Sequence, residues 1–84
     1  MKYSELLSMR IYQLCDKRGI SINRLAALSG LRQSTIDNII RGVSKSPGIK
    51  TLHCIATTFN MTLAEFLDFP ELNNYSLDDD TEDK

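Results

Sequence analysis

The stretch LAALSGLRQSTIDNIIRG, residues 25–42, holds two short apolar-patterned runs separated by one glycine. In the first run Leu25, Ala26 and Leu28 share a face, Ser21 stands where an N-cap belongs, and Ser29-Gly30 closes the segment. The second run places Ile36, Ile39 and Ile40 at i, i+3 and i+4, with Leu31 ahead of it as a core plug and Gly42 as its stop. Neither run is long enough to be a stable helix on its own. Ala26 is small enough to let another helix approach closely. Gly30 can take a positive φ without strain, so the chain can turn sharply between the two runs.

Two short helices crossing steeply around a glycine-containing turn form a helix-turn-helix, here at residues 21–41. In its DNA-binding form the second helix enters the major groove with its N-terminal residues nearest the bases. With the isoleucines turned inward, Arg32, Gln33, Ser34, Asp37, Asn38 and Arg41 are left outward or flanking. Gln and Asn can make paired hydrogen bonds to adenine, Arg can do so to guanine, and Ser can donate or accept at several bases. Asp37 would repel phosphate, so its expected partner is Arg41, four residues on. The helix N-termini at Ser21 and Gln33 direct positive dipole ends outward, which favours phosphate.

The flanking sequence supplies a body for this pair. Leu7, Ile11, Leu14 and Cys15 repeat at helical spacing from Ser4, as N-cap, to Arg18, and Gly19 suits the left-handed residue that follows. After the loop VSKSP, Ser46 and Pro47 read as N-cap and first residue of a fourth helix that uses Ile49, Leu52, Ile55, Ala56 and Phe59. Thr62 and Glu65 have the spacing of a capping box, and open a fifth helix carrying Leu63, Phe66 and Leu67 that stops at Phe69-Pro70. No segment alternates with period two, so the expected fold is an all-α domain of five short helices over residues 1–70. Residues 71–84 form an acidic tail, of which SLDDDTEDK, residues 76–84, has no large apolar residue after Leu77 and is expected to be disordered. Leu72 and Tyr75 are placed either to fold back on the body or to meet a second subunit.

An 84-residue chain with 25% charged and 42% hydrophobic residues suits one modest globular core. No apolar stretch approaches the roughly 20 residues of a membrane span, and the N-terminus lacks the long apolar stretch of a secretory signal. The expected location is therefore the cytoplasm. The net charge of −1 conceals an asymmetry: residues 1–69 carry +4 and residues 70–84 carry −5. A basic body points to a polyanion partner, and the tail could compete with phosphate for the basic face. Arg10, Lys17, Arg18, Arg24 and Lys50 read as ordinary surface charge. Cys15 and Cys54 lie in apolar helical patterns and read as small buried hydrophobes rather than a disulfide. His53 and Cys54 are adjacent on a helix and point about 100° apart, which suits neither a shared metal nor a catalytic pair. No metal, cofactor or enzymatic activity is expected.

Four pieces in order carry a family resemblance: LAALSGL (the pattern L-A-x-x-x-G and an apolar residue), STIDNIIRG (T-I-x-x-I-x-x-G), SPGIKTLHCIATTFN (P-x-I-x-T-L-x-x-I-A-x-x-F) and TLAEFL. Through them residues 7–67, about three quarters of the chain, resemble the helix-turn-helix family of the phage lambda, 434 and Cro repressors, the XRE family. The resemblance implies a five-helix repressor-like domain acting as a sequence-specific transcriptional regulator, a repressor, that binds double-stranded DNA as a homodimer on a palindromic operator. It implies base reading by Gln33, Ser34 and Asn38, with Arg32 at a base or phosphate. It also places Ser21 and Ile22, at the start of the second helix, and Lys45 and Ser46, in the loop after the reading helix, against phosphate. Arg41 is either a further phosphate contact or the Asp37 partner. The chain departs from the family at Arg32, which cannot cap the reading helix as Ser or Thr would, and at Ile22, which leaves only a backbone amide for phosphate. The alternative function is a protein-interaction module, such as an antitoxin that neutralises a protein partner and regulates its own operon.

Overall fold

Apolar residues recurring every three or four positions fold the chain into helices and leave too few alternating stretches for a sheet. The computed structural model describes residues 2–44 and 46–76, and among these there is no strand. The helices are α1 (Tyr3–Arg18), α2 (Ile22–Ser29), α3 (Gln33–Ile40), α4 (Ile49–Thr58), α5 (Leu63–Leu67) and α6 (Pro70–Asn73). One core joins α1 to α5. Ile11, Leu14 and Cys15 of α1 meet Leu25 and Ala26 of α2, Ile36 and Ile39 of α3, Leu52, Ile55 and Ala56 of α4, and Phe59 and Phe66. Leu31, between α2 and α3, packs half-buried against this cluster.

Several boundaries differ from the sequence reading, each for a local reason. Helix α1 starts two residues early, at Tyr3 with Lys2 as N-cap, where the Lys2 N–H donates to Glu5 Oε1 at 2.5 Å. Ser4 is not the cap. It is buried in the first turn, on the same face as Leu7 and Ile11, where a Cβ added at Gly42 would stand 3.6 Å from its hydroxyl oxygen. Helix α4 begins two residues later than Pro47: Gly48 is its N-cap, and Leu52 N–H donates to the Gly48 carbonyl at 3.1 Å. Ile49 is consequently 71% exposed rather than part of the core. Leu28 is 50% exposed and leaves the inward face to Leu25 and Ala26. At Thr62 the capping box forms in both directions, Glu65 N–H to Thr62 Oγ1 at 3.0 Å and Thr62 N–H to Glu65 Oε1 at 2.8 Å.

The fold has a sixth helix that the five-helix reading lacks. Pro70 does end α5, but its fixed φ also suits the first position of a new turn, and α6 follows at once. The chain then folds back on α1: the Tyr75 ring meets Tyr3 edge-on, centroids 5.6 Å apart. The expectation of a disordered tail falls on residues 76–84, all but Ser76 of which lie outside the described residues.

Two arginines that read as surface charge are structural. Arg10 Nε donates to the Phe66 carbonyl at 2.9 Å and a terminal nitrogen donates to the Glu65 carbonyl at 3.0 Å, while its guanidinium carbon lies 5.1 Å from the centre of the Phe69 ring. A cation on the last carbonyls of α5 also opposes the negative end of that helix. Arg18 donates in the same manner to the carbonyl of Phe59, the C-cap of α4. Both cysteines are free thiols; burial, reinforced by neighbouring Asp16, pushes the Cys15 thiol above its ordinary pKa.

Gly30 holds φ +75°, and a Cβ placed on it would meet nothing within 4 Å, so only its backbone limits substitution. Gly30→Ala is expected to lower stability by about 1 kcal/mol, read as a lower denaturant midpoint with an unchanged slope. Arg10→Met, which keeps the aliphatic stem but orphans two helix-end carbonyls, is expected to cost about 1–3 kcal/mol in the same measurement.

Candidate nucleic-acid interface

The turn between α2 and α3 depends on two small residues, Ser29 and Gly30. Ser21 caps α2, its hydroxyl oxygen accepting from Arg24 N–H at 3.0 Å. At the other end the Ser29 hydroxyl donates to the Ala26 carbonyl at 3.0 Å and accepts from Leu31 N–H at 3.3 Å. One side chain thereby bridges the left-handed residue Gly30 and ties the last turn of α2 to the approach of α3. Sequence reasoning misses this brace, because its signal, a serine directly before a turn glycine, is common in loops.

Helix α3 starts with Arg32 as N-cap, and no side chain caps it; the Arg32 carbonyl accepts from Thr35 N–H at 3.0 Å and Ile36 N–H at 3.3 Å. Ile36 is fully buried and Ile39 nearly so, while Ile40 is half-buried. Those side chains fix the rotation of the helix about its axis. Gln33, Ser34, Asp37, Asn38 and Arg41 then occupy roughly 140° of the opposite surface at about 100° per residue. Arg32, Gln33, Ser34, Asn38 and Arg41 are all exposed, and Asp37 is half-buried.

Asp37 does not take Arg41 as its partner. Gln33 Nε2 donates to Asp37 Oδ1 at 2.9 Å, while Arg41 offers only its backbone N–H, to the Asp37 carbonyl at 2.9 Å. An amide four residues earlier reaches the carboxylate at little entropic cost. The Arg41 guanidinium is thus left on the surface at the C-terminal end of α3, as Arg32 is at the other end.

The remaining candidates fall around this helix. Ser21 is exposed at the start of α2, with a hydroxyl hydrogen still able to donate. Ile22 is half-buried and packs against the core, which leaves only its backbone N–H at the surface end of α2. Ser46 is exposed, and Lys45 lies outside the described residues. Arg24 and Lys50 are also exposed, whereas the charges of Arg10 and Arg18 are engaged with helix-end carbonyls. No helix among the described residues is long and apolar enough to cross a membrane.

Residues 10–71 match the Cro/C1-type HTH DNA-binding domain family. Over 60 residues the chain is 40% identical to the HTH-type transcriptional regulator SlrR of Bacillus subtilis (strain 168), covering 70% of this chain and 40% of SlrR. Over 68 residues it is 35% identical to the HTH-type transcriptional regulator SutR of Escherichia coli (strain K12), covering 81% of this chain and 38% of SutR. The aligned part is about two fifths of the length of these curated relatives. Among solved structures, the prophage Lp1 protein 11 is similar with a TM-score of 0.79 at 36% identity, over 89% of this chain and 100% of that one. An HTH_3 family transcriptional regulator from Vibrio cholerae gives a TM-score of 0.68 at 28% identity, over 86% of this chain and 38% of the other. A short helix held outward by two isoleucines, a braced glycine turn before it, and a match running from α1 into α6 lead to one conclusion: the chain belongs to the Cro/C1-type helix-turn-helix family of DNA-binding domains.

Proposed function

We propose that the protein is a sequence-specific transcriptional regulator, acting as a repressor in the cytoplasm, that reads DNA with α3 in the major groove. The observation that carries this reading is the exposed polar face of α3, which holds Gln33, Ser34 and Asn38 and is backed by buried Ile36 and Ile39. Its function is binding alone, with no bond made or broken. Gln33, Ser34 and Asn38 read base edges, with Arg32 at a base or phosphate beside them. The hydroxyl of Ser21, the amide of Ile22, the side chains of Arg41 and Lys45, and Ser46 hold the sugar-phosphate backbone. Both relatives that the chain matches carry the name of HTH-type transcriptional regulators, which supports a regulatory role.

An eight-residue reading helix spans too few base pairs to single out one site in a genome. A homodimer on a palindromic operator doubles the information, with reading helices in successive major grooves about 34 Å apart. The Asp37 carboxylate on the same face opposes non-specific attraction to phosphate, which places more of the discrimination on base contacts.

Footprinting on the DNA upstream of the protein's own gene tests the proposal, with protection of two half-sites one helical turn apart as the expected result. On that site Gln33→Ala or Asn38→Ala is expected to cost about 1–3 kcal/mol at one base pair of each half-site. Lys45→Ala is expected to weaken all sequences alike and reduce the salt slope by about one. A titration at low salt that detects no binding to genomic or random DNA sinks the reading.

A further inference from the structure

The bond from Gln33 Nε2 to Asp37 Oδ1, 2.9 Å long, fixes more than the helix surface. A carboxylate only accepts, so the amide must turn its nitrogen, not its oxygen, toward Asp37. One amide hydrogen is engaged there. Oε1 and the second hydrogen remain, so the end of Gln33 presents one acceptor beside one donor. Adenine displays the complementary pair in the major groove, an N7 acceptor and an N6 donor. Guanine displays two acceptors, N7 and O6, and a clamped amide has only one hydrogen left for them. The charge on Asp37 adds to the discrimination, because it repels an edge made of acceptors.

We infer that Asp37 is a specificity-determining positioning residue, which holds the Gln33 amide so that it accepts adenine and rejects guanine. The inference rests on the base-reading role proposed for Gln33. Asp37 itself does not touch the base. Its carboxylate, on a half-buried residue four positions along the helix, accepts from the amide it orients. Holding the amide in its reading orientation also removes the ordering cost that a free glutamine side chain meets on binding. The same carboxylate weakens attraction to every phosphate nearby. Asp37 therefore raises selectivity and lowers affinity for random sequence, and its removal moves the two in opposite directions.

The test uses the full chain. Selection from a random duplex library identifies the preferred site, and affinities are then measured for duplexes differing at single base pairs and for a random-sequence duplex. The proteins compared are the unaltered chain, Gln33→Ala, Asp37→Ala and Asp37→Asn. The unaltered chain is expected to favour adenine over guanine at one position per half-site by roughly five- to a hundredfold, and Gln33→Ala to abolish that ratio. Asp37→Ala is expected to bring the same ratio to about twofold, leave other positions unchanged, and tighten binding to random duplex severalfold. Asp37→Asn, which can donate as well as accept and so admits both amide orientations, is expected to fall between. A full adenine-to-guanine ratio in both Asp37 variants, with Gln33→Ala still losing it, overturns the positioning role and leaves base reading intact. Uniform loss of preference at every position in the two Asp37 variants, together with a lowered denaturant midpoint, also overturns it, since it marks a merely structural residue. If Gln33→Ala changes no preference anywhere, base reading by Gln33 fails and the inference fails with it.

Discussion

The packing of Ile36 and Ile39 into the core holds the recognition helix in place. Helix α3 has eight residues, a length at which an isolated helix in water is mostly unfolded. Burying each isoleucine contributes about 1.5–3 kcal/mol, more than the intrinsic propensity of so short a segment can supply. That burial gives α3 its existence and its rotational setting together. With two side chains pointing into the body, the opposite strip has no choice but to face outward. Gln33, Ser34, Asn38 and Arg41 are exposed for that reason rather than because they are polar.

The turn before α3 serves the same end. Gly30 adopts a left-handed conformation that a residue with a Cβ enters only under strain, and the Ser29 hydroxyl spans it with two hydrogen bonds. The chain can then leave the end of α2 and start α3 within three residues, while Leu31 fills the corner against the core. At the other end, Gly42 passes close to buried Ser4 of α1, and the Ser8 hydroxyl donates to the Ile40 carbonyl at 3.0 Å. Helix α1 therefore supports α3 through small hydroxyl residues as well as through Ile11.

Charge on the body divides by role in a way that counting does not reveal. Arg10 and Arg18 sit on the carbonyl ends of α5 and α4, where Arg10 donates to two carbonyls and Arg18 to one and each opposes the helix dipole. Arg32 and Arg41 bracket the exposed strip of α3. A net surplus of +4 over residues 1–69 thus overstates what is available to a polyanion and understates its concentration near one helix. Asp37 completes the pattern, since its partner is the Gln33 amide and not a cation.

The helical class, the order of α1 to α5, the glycine turn and the outward strip are all legible in the amino-acid order, because each depends on spacing within one segment. Periodicity tells which residues of a helix share a face, and Ser21 and Thr62 act on neighbours three positions away. Features in which two distant segments meet, or fail to meet, at one group emerge only once the chain is folded. Ser4 is a buried contact because Gly42 arrives beside it, and Leu28 and Ile49 stay exposed because no element covers them. The end of α6 is placed by Tyr75 meeting Tyr3, and Arg10 is structural because α5 ends within its reach. The choice of Gln33 over Arg41 by Asp37 lies between these cases: the i, i+4 spacing allows either partner, and the folded chain selects one.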